Sequence, residues 1–184
     1  MRHAIWLRRA PAPDLAPALR LHSPVPPEPA VVSQSPACLI AFLRHVGCPF
    51  AEHTVKALRA WARAHPEVRV CVVSHGDAAI THAWLDSIGG LGGLTLIHDP
   101  ARHLYGQWGL GDAPFWHFGG PRSLMGVVRL WFKGIRNRMA TGTRWQRAGM
   151  FLVRGGRVVW CHVPASAQEL MLPPPLEQGP GPRG

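Results

Sequence analysis

No stretch of this sequence approaches the ~18 consecutive uncharged apolar residues of a membrane-crossing helix, so no span is expected. Acidic side chains are scarce, 10 against 20 Lys and Arg, and charged residues make up only 16% of the 184. Lysine itself is nearly missing, with Lys56 and Lys133 the only two, so the net charge of +10 is carried by arginine. Such a surplus attracts polyanions or anionic lipid heads. No nucleic-acid-binding motif accompanies it, so no specific nucleic-acid partner is expected and the charge reads first as an Arg-rich composition. Cysteine is limited to Cys38, Cys48, Cys71 and Cys161, spaced by 10, 23 and 90 residues, which is neither a zinc pattern nor a small disulfide scaffold. The 11 histidines contain no H-E-x-x-H or H-x-x-E-H spacing; His45, Cys48 and His53 would make only a partial site, and the two histidines flank a turn and diverge, so no metal and no cofactor is expected. The apolar run within residues 1–9 is too short for a secretory leader, so the expected location is cytoplasmic, with free thiols.

Hydrophobic residues make up 47% of the chain, enough for a buried core, and the length favours one domain. Residues 10–37 hold eight prolines and cannot form a regular helix or central strand. The segment 1–37 is therefore expected to be an extended lead-in, with an edge strand near Val31 and Val32, and 172–184 a disordered tail. Between them, 38–171 reads as the folded domain. Cys38 to Leu43 is a continuous apolar run, as in a buried central strand. After the break at Gly47-Cys48-Pro49, Val55, Leu58, Trp61 and Ala62 share one helical face, with Glu52, Lys56, Arg59 and Arg63 elsewhere. Val68–Val73 reads as a second buried strand, Asp77 as the cap of a second helix, and Leu94–Ile97 as a third strand. Asp99-Pro100 predicts a short helix with proline at its first position. Met150–Val153 and Arg157–Val163 flank Gly155-Gly156 as a hairpin, and Ser166–Met171 begins a final helix. Strands alternating with helices imply an α/β class, a parallel sheet covered on both faces with an antiparallel edge.

Cys48 is the candidate reactive residue. A thiolate, not a thiol, is the nucleophile. A cysteine at a helix start faces the positive end of the macrodipole and unsatisfied amides, which favour the anion. Gly47 permits a sharp turn, Pro49 supplies a preset φ, and Arg44 and His45 lie just upstream. The other reading is a small buried cysteine with no chemistry.

Phe42-Leu43-Arg44-His45-Val46-Gly47-Cys48-Pro49-Phe50-Ala51 resembles the F-x-R-x-x-x-C-x-x-C segment of peroxiredoxin-like proteins of the AhpC/TSA group. Leu96 through Tyr105 is similar to the family's strand, D-P and aromatic-bearing helix, and Gly149 through Val163 to its late hairpin. The resemblance covers roughly residues 36 to 165. It implies a thioredoxin-like three-layer sandwich with a central mixed sheet, and a thiol that reduces a peroxide or a disulfide. It also implies supporting roles for Arg44, for His45 where standard members carry Thr, and for Arg147, which precedes the Met150 strand. The family's second cysteine is Ala51 here, so turnover would need an outside thiol, from thioredoxin, glutaredoxin or a small molecule, or a distant cysteine.

Residues 113–168 contain no Asp or Glu but nine basic residues. Within the insert near 121–139, Leu124, Val128, Trp131 and Ile135 form an apolar stripe, with Arg129, Lys133 and Arg136 at i, i+4 and i+7. The stripe is expected to pack on the sheet; the alternative is weak contact with an anionic membrane surface. Two function classes stand. One is a thiol-dependent reductase acting through Cys48. The other is a catalytically degenerate thioredoxin-fold protein that binds a partner or membrane through the basic helix. The sequence does not fix the oligomeric state.

Overall fold

The computed structural model describes residues 10–135, 138 and 143–174, leaving out the side chain of Arg122. The chain forms α1 (Ala30–Ser33), β1 (Ala37–Phe42), α2 (Pro49–Ala64), β2 (Arg69–Ser74), α3 (Ala78–Ser87) and β3 (Thr95–His98). It continues through α4 (His103–Gln107), α5 (Phe115–Gly119), α6 (Pro121–Phe132), β4 (Gly149–Arg154) and β5 (Arg157–His162).

The five strands lie in the order β3-β2-β1-β4-β5. β1, β2 and β3 are parallel, as helical crossovers require; β4 runs antiparallel to β1, and β5 to β4. Gly155 and Gly156 both take positive φ, 56° and 70°, the two-residue turn that matches strand twist. β1 is buried at every residue because both its faces are covered. Its side chains alternate between two cores. Leu39 and Ala41 face Val70, Val72, Leu152, α2 and α3, while Cys38, Ile40 and Phe42 face Cys71, Phe151, Tyr105 and Trp108. The second core holds an aromatic cluster, with Phe42 edge-on to Tyr105 at 5.0 Å and to Phe151 at 6.2 Å. This is the three-layer mixed-sheet sandwich expected from the sequence.

Four local expectations fail, each because a distant contact or a competing side chain prevails. Val31 and Val32 lie in the single turn α1, which seats Val32 in the second core, rather than in an edge strand. Strand-like pairing by this segment is instead the lone bridge of Pro24 to Arg157. The helix after Asp99-Pro100 starts three residues late, at His103. Asp99 still serves its first turn, accepting from the His103 amide at 2.9 Å and the Tyr105 amide at 3.2 Å. Ser166–Met171 is no helix: the Glu169 carboxylate takes the Ala165 amide at 2.8 Å, which closes a turn that Pro173 and Pro174 cannot extend. The stripe of α6 does not pack on the sheet. Leu124, Val128 and Trp131 are exposed, Ile135 beyond the helix end is the one stripe residue buried, and the helix itself buries Ser123, Gly126 and Leu130 instead. A Cβ at Gly126 would come within 2.7 Å of Gln168 Cβ and 2.9 Å of the Phe50 ring, so the glycine is what lets α6 lie close against α2. Of the expected tail, Leu172 and Pro173 pack against the domain, Pro173 O accepting from Trp61 Nε1 at 3.2 Å. Residues 175–184, like 136, 137 and 139 of the insert, lie outside the described residues.

Candidate active site

Crossover topology gathers the chain segments that follow parallel strands at one edge of the sheet, where sites in open α/β folds form. Here they are Leu43–Cys48 after β1, His75–Asp77 after β2 and Asp99 after β3. Tyr105 ties the first of these to the end of β2, its buried hydroxyl donating to Leu43 O at 2.6 Å and lying 3.0 Å from Val73 O. Burial holds that phenol well above its ordinary range, so it stays a donor.

Gly47 takes φ 84°, which turns the chain from strand to helix. Cys48 is then the N-cap of α2, with extended φ and ψ, and Pro49 is the first helical residue. The Cys48 side chain accepts no capping bond and so is not tied up by the helix start. The thiol residue is 3% exposed. The insert is tied to the same turn, the Arg138 amide donating to Gly47 O at 3.0 Å.

Arg44 is buried, donates to Arg144 O at 3.0 Å and lies over the Phe118 ring at 5.5 Å. The charge of Arg144 interacts with Cys48, which opposes a lowering of the guanidinium pKa by burial and by Arg44. Arg144 was not among the residues expected from sequence. It lies almost a hundred residues from the thiol, and the loop that carries it has no periodicity to read. Arg147, which was expected, is held by its amide to Gly111 O at 3.1 Å, and its charge acts on His117, whose pKa is lowered mainly by burial. Arg44, with Arg147, also lowers the pKa of His117.

His45 is buried, with Nδ1 at 3.0 Å from Val46 O. Burial, with Arg44, Arg144 and His75 nearby, pushes its pKa down to about 3 against the support of that carbonyl. At neutral pH it is uncharged, and Nδ1–H donates to the carbonyl. His75 was also not anticipated. It is buried, edge-on to Tyr105 at 5.5 Å, and its pKa falls to about 4 through burial and the charges of Arg102 and Arg44. At neutral pH, then, neither His45 nor His75 adds positive charge at the turn.

Ala51, one helical turn after Cys48, lines a cavity of about 30 Å³ with Arg44, Phe50, Thr54, His117 and Glu169. The other cysteines are elsewhere. Cys38 and Cys71 are fully buried with sulfurs 3.7 Å apart; their hydrogen bond, then burial, pushes the Cys38 thiol up. Both belong to the second core, against which Cys161 also packs, whereas Cys48 belongs to the first. The sheet thus separates Cys48 from every other thiol of the chain. Among the described residues no group of three or more His, Cys, Asp or Glu could hold a metal ion, and no helix is long and apolar enough to cross a membrane.

The profile of a family described as AhpC/TSA antioxidant enzyme matches residues 55–166, more than half of the chain and wholly downstream of Cys48. No curated protein matches the chain. Among solved structures it is similar to a peroxiredoxin-like protein from Aquifex aeolicus, at 12% identity and TM-score 0.56, over 84% of this chain and 82% of that one. It is similar in the same degree to a thiol peroxidase from Chromobacterium violaceum, at 13% identity and TM-score 0.56, over 85% and 83%. At these identities the likeness is one of fold, the thioredoxin-like sandwich.

Proposed function

Because the chain belongs to the AhpC/TSA antioxidant enzyme family, whose chemistry is thiol-dependent peroxide reduction, we propose that Cys48 is its peroxide-reacting thiol and that it works alone, with an outside thiol as reductant. The observation that carries the proposal is the placement of Cys48. It caps α2 beside the Arg44–Arg144 pair, on a side of the sheet with no other cysteine. The family match begins after Cys48, so the assignment rests on this geometry.

The Cys48 thiolate attacks one peroxide oxygen and the O–O bond breaks. The displaced alkoxide takes up the proton that the thiol had released, leaving an alcohol or water and a sulfenic acid. A first external thiol condenses with the sulfenic acid, expelling water and forming a mixed disulfide. A second attacks that disulfide and frees Cys48. Arg44 and Arg144 supply positive charge where thiolate and leaving oxygen carry negative charge. His45 is a neutral neighbour, and Arg147 supports the site through the His117 side. A reducing cytoplasm would provide the external thiol and keep Cys38, Cys71 and Cys161 free.

The test is peroxide consumption in the presence of dithiothreitol or thioredoxin, with trapping of sulfenic acid. Wild-type protein should consume peroxide and trap the adduct at Cys48, and Cys48→Ser should do neither. Peroxide turnover undiminished in Cys48→Ser would overturn the assignment. A second reading, a binding protein without turnover, is favoured by the exposed apolar face of α6; peroxide-inert Cys48 in a folded protein would support it.

A further inference from the structure

α5 and α6 stand on the surface with their apolar sides outward. Phe115 and Trp116 of α5 are 55% and 73% exposed; Leu124, Val128, Trp131 and Phe132 of α6 are 61%, 53%, 58% and 77% exposed. Leu124, Val128 and Trp131 follow at i, i+4 and i+7, so they line one face. Trp131 and Phe132 stack edge-on at 5.3 Å and form the outermost part of that face. Among the described residues no strand or helix covers it, because the side that α6 buries is the small one, Ser123 and Gly126 with Leu130. Ser123 is fixed inward by its hydroxyl, which donates to His117 O at 2.7 Å. The orientation is therefore built in.

Beside the apolar face run Arg129 and Lys133, both exposed, at the rim of a groove of about 390 Å³ between α6, Phe50, His53 and the 167–170 turn. The acidic side chain in the lining of that groove is Glu169, whose carboxylate is engaged by the Ala165 amide; no acidic residue occurs from 113 to 168, and the chain carries +10 overall. Exposed Trp and Phe flanked by Arg and Lys on one short helix is the composition that lies in the headgroup region of a bilayer, rings at the acyl boundary and cations among phosphates.

We propose that this face of α5 and α6 docks the protein on an anionic lipid surface, with Trp131, Phe132, Leu124 and Val128 entering the interface and Arg129 and Lys133 meeting the phosphates. A second copy of the chain is a poor occupant, since it would set Arg129 and Lys133 against their own like and bring two +10 bodies together. A wholly acidic protein surface would satisfy the arginine and lysine but not the aromatic ridge. The anionic bilayer satisfies both at once, and the docking is independent of any chemistry at Cys48.

The full chain, with its thiols reduced, should be mixed with vesicles of 30% phosphatidylglycerol in phosphatidylcholine or of phosphatidylcholine alone, at 50 mM and 500 mM salt. Binding is read by co-sedimentation and by quenching of tryptophan with brominated lipid. The expected result is partition to the anionic vesicles that is at least about tenfold above the neutral ones at low salt and falls at high salt. Arg129→Gln with Lys133→Gln should lower it by about 25-fold, near fivefold for each charge. Trp131→Ser with Phe132→Ser should lower it by about tenfold or more and remove the quenching. Both pairs lie on the surface, and far-UV circular dichroism and thermal melting should be unchanged. Equal partition to neutral and anionic vesicles overturns the proposal, as does absence of binding at 50 mM salt. So does a wild-type dimer at micromolar concentration that Trp131→Ser with Phe132→Ser converts to monomer. Binding to polyglutamate that matches binding to the vesicles and survives loss of the two rings overturns it too, and assigns the face to an acidic protein.

Discussion

At the scale of residues, the thiol turn depends on one charge from far along the chain. Arg144 interacts with Cys48 and shares its own carbonyl with Arg44. A cation beside a thiol favours the thiolate, the reactive form. Arg144→Gln should therefore slow alkylation of Cys48 by a small reagent at pH 7; peptide mapping of the modified thiol gives the rate, and an unchanged rate would remove Arg144 from the site. His75 yields a prediction of a different kind. Its folded pKa is about 4, against 6.5 ordinarily. Below pH 6.5 the unfolded chain takes up this proton and the folded one does not, so stability is full above 6.5 and is lost as pH falls toward 4. The loss from His75 alone is on the order of 3 kcal/mol at pH 4. Urea midpoints at pH 7 and 4.5 should differ less in His75→Gln than in the wild-type chain. His45, with its pKa near 3, extends the same loss to lower pH in both.

At the scale of elements, α6 is held by a contact that tolerates no side chain. The nearest atoms to a Cβ at Gly126 are side-chain carbons of Gln168 and Phe50, and Phe50 belongs to the first turn of α2. Gly126→Val should cost about 1–3 kcal/mol through overpacking, more than the few tenths that valine gains over glycine as a helix former. The thermal midpoint should drop by several degrees, and Phe50, next but one to Cys48, should shift with it. The expected mark of that shift is a changed Cys48 alkylation rate; a lower midpoint with the same rate would place the strain on the Gln168 side only. The contrast between Gly126 and the outward Trp131 also explains why the stripe of α6 was misjudged from sequence. An apolar stripe is normally the buried one, and only the position of Phe50 and the 167–170 turn shows that the helix packs by its small residues instead.

At the scale of the whole molecule, the sheet is a partition. Cys38, Cys71 and Cys161 lie in or against one core and Cys48 in the other, so oxidised Cys48 has no thiol partner within its own layer. Ala51→Cys changes this. Residue 51 lies one helical turn along from Cys48, beside the small cavity, and alanine and cysteine differ little in size. Mild oxidation of the variant should close a disulfide between Cys48 and the introduced thiol, seen by thiol counting and peptide mapping. Peroxide consumption should then depend less on added small thiol. Free thiols at both positions after treatment that oxidises an ordinary C-x-x-C pair would argue against the helix-start geometry itself.

The sequence by itself determined what is local. The strand and helix order from β1 to β5, the Gly155-Gly156 hairpin, the Asp77 cap and the Gly47-Cys48-Pro49 helix start were legible, because each rests on φ preference, capping or periodicity within a few residues. Cys48, Arg44 and His45 were therefore found at one turn. Tertiary structure alone decided that Arg144 interacts with the thiol, that His75 joins the cluster, and that the other cysteines face away. It also decided that α6 turns its aromatic side to solvent and that Glu169 folds 165–169 into a turn. These outcomes depend on contacts between residues tens of positions apart, or on a side chain displacing the backbone as hydrogen-bond partner, and neither leaves a periodic trace in the sequence.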